Sequence, residues 1–227
     1  MIPTIEELVA RFGFLSNTVG VWGVIVTAIV LIVVQDWRVS IVALAIQSIL
    51  LGLLFASFLA PLLAGVQMVL GLLACLVLAL TARHVGWGRR EVRPIARPSG
   101  PGRYYSVQRW LPTGLPFRLV AALMAVVAAY TLSRRPGYQL PEVTEFINLA
   151  SCMLMALGIV ALGLTEEPLK AGMGLLTFLS GFELFYFTLE QALVLIGFFG
   201  TATLLIALAT AHLTAARAAG LQGERPT

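Results

Sequence analysis

The sequence predicts an all-α polytopic membrane protein with about seven transmembrane helices, and three observations lead to that fold class. Hydrophobic residues make up 59% of the 227 residues and charged residues only 11%, which is too apolar for a soluble domain of this length. Apolar runs of about 18 residues or more recur along the chain, and that length suits a helix that crosses a bilayer. Short polar turns separate most of these runs. We therefore expect a multi-pass protein of the cell (inner) membrane.

The first 14 residues predict a short amphipathic helix that lies on the membrane surface. Thr4 and Glu7 have the spacing of a capping box, and apolar side chains follow at helical intervals at positions 5, 8, 9 and 12. Such a helix binds in the interfacial plane of a bilayer. A cleaved signal peptide is not expected, since Glu6 and Glu7 stand where it would carry basic residues.

A first three-helix membrane unit is predicted over residues 15–81. Its spans cover about residues 15–34, 39–59 and 61–81. The polar turn at residues 35–38 separates the first two spans. Pro61 opens the third, where proline is tolerated because the first turn of a helix leaves its amides unpaired. Trp22 lies away from the span boundaries, so we expect it to pack inside this unit.

Residues 82–116 predict a basic cytoplasmic loop. Between residues 82 and 118, eight arginines stand against a single acid, Glu91, and glycines and prolines interrupt the stretch repeatedly. Basic residues mixed with aromatic ones also occur in proteins that bind nucleic acid. We favour contact of the arginines with anionic lipid or with a partner subunit, and we expect no nucleic acid partner.

The remaining chain predicts a linker helix, a second three-helix unit and a tail. The linker, residues 117–141, combines a transmembrane helix at about residues 116–132 with a polar outer loop. The second unit is predicted over residues 142–213. Its spans cover about residues 143–164, 168–189 and 191–213. Residues 214–227 predict a polar, frayed cytoplasmic tail.

The basic residues predict the orientation of the chain in the membrane. With the basic loop inside the cell, seven spans put the N-terminus outside and the C-terminus in the cytoplasm. Twelve of the 15 basic residues then lie inside, as the positive-inside rule requires.

The two units share features that predict an internal repeat. Both begin outside, have a polar inner turn (residues 35–38 and 165–170) and have almost no loop between their second and third spans. Similar segments end them, ALTARH at residues 79–84 and ALATAH at residues 207–212. Two parallel copies of one three-helix unit, joined by the linker helix, explain these features. Short-looped helices could also converge on the same pattern.

Glu183 is the one acid placed deep within an apolar span. A carboxylate at that depth is costly and calls for a partner, a proton or a function. Its helical face also carries several small or aromatic side chains and a second acid: Gly172, Leu179, Ser180, Phe187 and Glu190. The functional interpretation is a proton-accepting group or a link to a neighbouring channel subunit. The structural interpretation is a neutral or paired acid that fixes helix packing.

Four further residues are candidates for a proton path or for coupling between helices. They are Gln47, Gln67, Thr177 and Lys170, the only lysine of the chain. The other polar side chains within the spans are Ser48, Asn148, Ser151 and Ser180. Polar side chains of this kind form hydrogen bonds between helices at a modest gain, and we favour that role over a conduction path.

The sequence predicts no catalytic centre, metal site or cofactor in this chain. Cys75 and Cys152 lie inside apolar spans, where single thiols are typical packing residues. His84 and His212 fall at span ends, and there is no set of ligands for iron–sulfur, haem or nickel.

The topology of nearly the whole chain and two segments carry a resemblance to known proteins. The first segment is residues 36–40, running into residues 43–48, and the second is residues 166–176, with Gly172 and Gly174. With these features the three-helix unit resembles the K subunit of respiratory complex I, and the double unit resembles the hydrogenase-4 component E family. Residues 36–48 are similar to that family's inner turn and second helix.

The chain departs from this family in its acids. The K subunit carries membrane-embedded glutamates in its second and third helices, which serve a proton pathway. The resemblance places the second-helix glutamate at Thr177, with Gln47 as its counterpart in the first unit. The last span has Gly200, Thr201 and Thr203 where an acid is expected, and Glu183 lies about two helical turns beyond the family position.

The resemblance implies a non-catalytic integral membrane subunit of an energy-converting respiratory or hydrogenase-type complex. Such a subunit bridges antiporter-like membrane subunits, supports proton or ion translocation and leaves the redox centres to peripheral partner subunits. At most the chain is then an accessory subunit of an oxidoreductase complex. Two alternatives stay open: a stand-alone small-solute transporter or channel, and a membrane assembly or scaffold protein.

Overall fold

The computed structural model describes residues 19–86, 114–135, 145–190 and 192–223. Within these ranges the chain forms α-helices and no strands, which confirms the all-α prediction. The helices are α1 Gly20–Val33, α2 Trp37–Phe55, α3 Pro61–His84, α4 Leu115–Ser133, α5 Glu145–Gly163, α6 Pro168–Leu189 and α7 Leu193–Gly223.

Six of these helices, α2 to α7, are long and apolar enough to cross a membrane, as the predicted multi-pass membrane protein requires. Helix α1 has 14 described residues, or about 21 Å at 1.5 Å per residue, against a hydrocarbon core of about 30 Å. The predicted first span begins earlier, at residue 15. Residues 15–18, the predicted surface helix and most of the predicted basic loop lie outside the described residues. A seventh span therefore stays a prediction.

Local sequence accounts for where most of the helices begin. The Asp36 side chain accepts a hydrogen bond from the Arg38 amide at 3.0 Å and so caps α2. Pro61, Pro116 and Pro168 each stand in the first turn of a helix, where a missing amide proton is harmless. These starts lie within two residues of the predicted ones.

Helix α7 is longer than predicted. It continues beyond residue 213 to Gly223, so the prediction of a frayed tail from residue 214 is wrong for this part. Four alanines between residues 215 and 219 favour helix. The Arg217 guanidinium also donates a hydrogen bond to the Glu166 carbonyl at 2.7 Å, which holds this end of α7 against the turn between α5 and α6.

The helices pack in a regular order. Neighbours in the chain pack together as α1–α2–α3 and as α5–α6–α7. In addition α1 contacts α5, α2 contacts α6 and α3 contacts α7, while α4 packs on α5 and α1. The core therefore runs between the first three helices and the last three.

Helices α5 and α6 approach each other most closely at glycines. A Cβ atom at Gly158 would lie 2.5 Å from the backbone nitrogen of Phe178, and one at Gly181 would lie 2.7 Å from Leu154 Cβ. Because glycine has no side chain, the backbones of the two helices can come into direct contact at these positions.

Trp22 does not pack inside the first helices, so that prediction is wrong. The buried face of α1 carries Val21, Val24, Ala28 and Leu31, at helical spacing. Trp22 stands about 100° from Val21 around the helix axis, and 55% of its surface is exposed.

Candidate functional site

Glu183 lies at a junction of helices and is only 3% exposed. The Gln67 amide of α3 donates a hydrogen bond from Nε2 to Glu183 Oε2 at 2.7 Å. The Thr203 hydroxyl of α7 donates one to Glu183 Oε1 at 3.2 Å. Both carboxyl oxygens therefore have partners, and the site joins one of the first three helices to two of the last three.

A small cavity of about 20 Å³ adjoins the carboxyl group. Its walls come from α2, α3, α6 and α7: Ser48, Leu51, Gly52, Phe55, Gln67, Met68, Gly71, Ser180, Glu183 and Thr203. This is room for about one water-sized species. Gln67 is 8% exposed, and its Oε1 atom is buried without a hydrogen-bond partner among the described residues. The cavity thus combines one acid with an unused acceptor.

The Glu183 carboxyl group has no ion-pair partner in the described part of the chain. Glu190, the next acid on α6, lies at the C-terminal cap and is exposed. Lys170 precedes Glu183 by 13 positions on the same helix, or about 20 Å. An ionised Glu183 would therefore give the cavity one negative charge, which one proton or one monovalent cation would neutralise.

Aromatic rings close the end of the bundle nearest to Glu183. Phe187 lies one helical turn beyond Glu183. Its ring centroid is 5.5 Å from that of Phe55, the last residue of α2, and 5.5 Å from that of Phe199 in α7. Phe182 and Tyr186 extend the cluster around Phe199. The cluster therefore lies at the end of α6 that is opposite to Lys170.

Lys170 occupies a different site, at the opposite end of α6. It is 6% exposed, and its Nζ atom donates a hydrogen bond to the Val34 carbonyl at 2.9 Å. Val34 follows the last residue of α1, where carbonyls lack helical partners and the helix dipole favours a cation. Lys170 therefore couples α6 to α1. The turns at residues 35–38 and 165–170 consequently lie at the same end of the bundle.

The structure does not bring Gln47 and Thr177 into the Glu183 cavity. The Thr177 hydroxyl donates to the Met173 carbonyl of its own helix at 2.9 Å. Gln47 is fully buried, and neither polar atom of its amide has a partner among the described residues. A buried amide without partners costs about 1–3 kcal/mol, so Gln47 is unusual in its own right.

The predicted hydrogen bonds between helices are found for some of the polar residues. Gln67 bonds across to α6, and the Asn148 amide donates to the Ser133 carbonyl of α4 at 3.3 Å. The Ser48 and Ser151 hydroxyls instead donate to carbonyls of their own helices. Thr203 was not among the sequence candidates, because a threonine in an apolar span carries no signal until its partner is known.

A second and larger cavity, of about 730 Å³, opens between the start of α2 and the end of α3. It is lined by basic and aromatic side chains as well as apolar ones, among them Trp37, Arg38, Arg83 and His84. The Arg38 guanidinium stands 5.4 Å from the centroid of the Trp37 ring. A positively charged cleft next to an interfacial tryptophan suits an anionic headgroup.

Within the described ranges, no three or more His, Cys, Asp or Glu side chains are grouped so as to hold a metal ion. Comparisons with protein-family models, with curated proteins and with solved structures find no match for this chain.

Proposed function

We propose that this chain is a non-catalytic membrane subunit of an energy-converting complex related to respiratory complex I or to membrane-bound hydrogenases. In this proposal it bridges antiporter-like membrane subunits and supports ion translocation through Glu183. The observation that carries the proposal is the buried carboxyl group, held by Gln67 and Thr203 beside a small polar cavity. An acid kept without a counter-charge inside a membrane is a recurrent feature of ion pathways.

We also propose that the chain contains two parallel three-helix units joined by α4. Two observations support this. Helices that occupy equivalent places pack together, α1 with α5, α2 with α6 and α3 with α7. The Lys170–Val34 hydrogen bond puts the two inner turns at one end of the bundle. Parallel units require that arrangement, whereas inverted ones would put the turns at opposite ends.

The proposed orientation has seven spans, the N-terminus outside and the C-terminus in the cytoplasm. Contacts support one basic end of the bundle. Arg38 and Arg83 line one cavity there, and Arg217 donates a hydrogen bond to the turn before α6. This end would face the cytoplasm, and its arginines would contact anionic lipid.

The cavity at Glu183 argues against a stand-alone carrier of larger solutes. Its volume of about 20 Å³ admits one water-sized species, not an organic solute. Electron transfer in the proposed complex belongs to peripheral redox subunits, with this chain as an accessory subunit.

Replacing Glu183 tests this function directly. In the assembled complex, we expect Glu183→Gln to abolish ion pumping while leaving the subunit in place, because glutamine keeps the shape but cannot carry a charge. Pumping is measured in inverted vesicles, and assembly by co-migration with antiporter-like and redox subunits after mild-detergent extraction. Thr177→Val is the matched control, since that hydroxyl bonds only to its own helix.

Two results would contradict the proposal. One is full ion pumping by an assembled Glu183→Gln complex, which would show that pumping does not need this carboxyl group. The other is a purified chain that migrates without partners and transports a solute unaided, which would make it an independent transporter.

A further inference from the structure

We propose that the Glu183 cavity is a sodium site, in which one Na⁺ and one proton compete for the same carboxylate. This inference rests on the proposed function and names the ion that the site takes. Four observations carry it: the oxygen atoms that line the cavity, its size, its charge and the unused Gln67 oxygen.

The polar side chains that line the cavity offer oxygen atoms as ligands for a hard cation. Glu183 offers a carboxylate and Gln67 an amide oxygen, while Ser48, Ser180 and Thr203 offer hydroxyls. Carboxylate, carbonyl and hydroxyl oxygens are the ligands that hard cations prefer. A hydroxyl that donates one hydrogen bond, as Thr203 does to Glu183, still has lone pairs to offer a cation.

The Gln67 amide is the feature that a simple packing role does not explain. Its Nε2 atom donates to Glu183, while Oε1 is buried with no partner among the described residues. Leaving a buried carbonyl oxygen unused is unfavourable. A cation in the cavity that contacts Gln67 Oε1 as well as the Glu183 carboxylate would use that oxygen, while Nε2 keeps its hydrogen bond to Glu183.

The charge of the site selects a monovalent ion. Glu183 is the only ionisable residue among those that line the cavity. None of the other described charged or imidazole side chains on α6 and on the helices packed against it lines the cavity: Arg38, Glu145, Lys170, Glu190, His212 and Arg217. One buried negative charge is neutralised by one Na⁺ or one proton, whereas a divalent ion would leave an uncompensated buried charge. The size of the cavity excludes larger organic cations.

Carbodiimide labelling tests the site in the full chain, in native membranes. A hydrophobic carbodiimide reacts with a protonated carboxyl group, and mass spectrometry of the peptide that contains Glu183 gives the labelling rate. We expect labelling in choline chloride and a rate about tenfold lower once Na⁺ exceeds its dissociation constant about tenfold. Glu183→Gln gives the unlabelled reference.

Thr203→Val and Thr177→Val form a matched pair, because both remove one buried hydroxyl from a threonine. We expect Thr203→Val to raise the Na⁺ concentration needed for half-protection about tenfold and Thr177→Val to leave it unchanged. Thr203→Ser, which keeps the hydroxyl, should restore protection. If Thr203→Val fails to fold, the wild-type protection curve and Thr203→Ser still decide the question.

Equal labelling rates in sodium and choline would overturn the proposal, because the carboxyl group would then take a proton and no sodium. Failure to label in choline would overturn it as well, since the sodium-free carboxyl group must be protonated and within reach. Labelling is measured on this chain itself. Sodium protection can therefore hold even if the chain proves to belong to another kind of assembly.

Discussion

At the scale of single residues, sequence reasoning found the unusual side chains but not their partners. Glu183, Gln67 and Lys170 stand out because each is polar within an apolar span. Gln67 and Glu183 are 116 residues apart, and their contact depends on how α3 and α6 are rotated against each other, which no local pattern fixes. Thr203 was missed for the same reason, and Lys170 was not expected to reach the end of α1.

The two buried glutamines give a paired stability test. Gln67→Leu removes the donor to Glu183 and leaves a buried carboxyl oxygen without its partner, so we expect a loss of about 1–3 kcal/mol. Gln47→Leu removes an amide that has no partner among the described residues, so we expect no loss or a gain. Thermal unfolding in mild detergent measures both. Equal losses in the two variants would contradict this assignment of partners.

At the scale of helices, the sequence predicts where most helices begin but does not predict where α7 ends. Prolines and the Asp36 cap mark starts through local chemistry, which the sequence displays directly. The end of α7 was placed at residue 213 because apolar character fades there. A loss of apolar character does not by itself end a helix, and the alanines beyond residue 213 continue α7 to Gly223.

The glycine contact between α5 and α6 predicts a strong effect of one added methyl group. Gly158→Ala would place a Cβ atom against the Phe178 backbone, so we expect about 1–3 kcal/mol of destabilisation from overpacking. Gly197→Ala is the matched control, since no atom lies within 4 Å of its Cβ position. Alanine there should stabilise α7 by about 0.5–1 kcal/mol.

The measurement is the thermal unfolding midpoint of each variant in the same detergent. A Gly158→Ala protein as stable as the Gly197→Ala protein would show that the two helices can separate without cost, contrary to the close packing described.

At the scale of the whole molecule, composition alone was enough to predict a helical membrane protein, because 59% hydrophobic residues leave few alternatives. Composition does not predict which helices pack against each other. The pairings of α1 with α5 and of α3 with α7 join segments far apart in the chain. The predicted repeat puts the two inner turns at the same end of the bundle, and the Lys170–Val34 hydrogen bond is consistent with that arrangement.

Single cysteines in the connecting turns test the orientation. The variants are made in a chain that lacks the two native cysteines, and a membrane-impermeant thiol reagent is added to intact cells. We expect Gln35→Cys and Thr165→Cys to be protected, because the proposed orientation puts both turns in the cytoplasm, and Ser57→Cys and Glu190→Cys to react. Reaction of only one member of the first pair would rule out parallel units.

Because α7 is long and unbroken, positions along it can be used to measure depth in the membrane. Its 31 residues extend about 46 Å, about half as long again as the hydrocarbon layer. A spin label moved along its exposed face would pass from hydrocarbon through headgroups into water in known steps. Because Thr203 on this helix touches Glu183, the calibrated scale would report how far the carboxyl group lies below each surface.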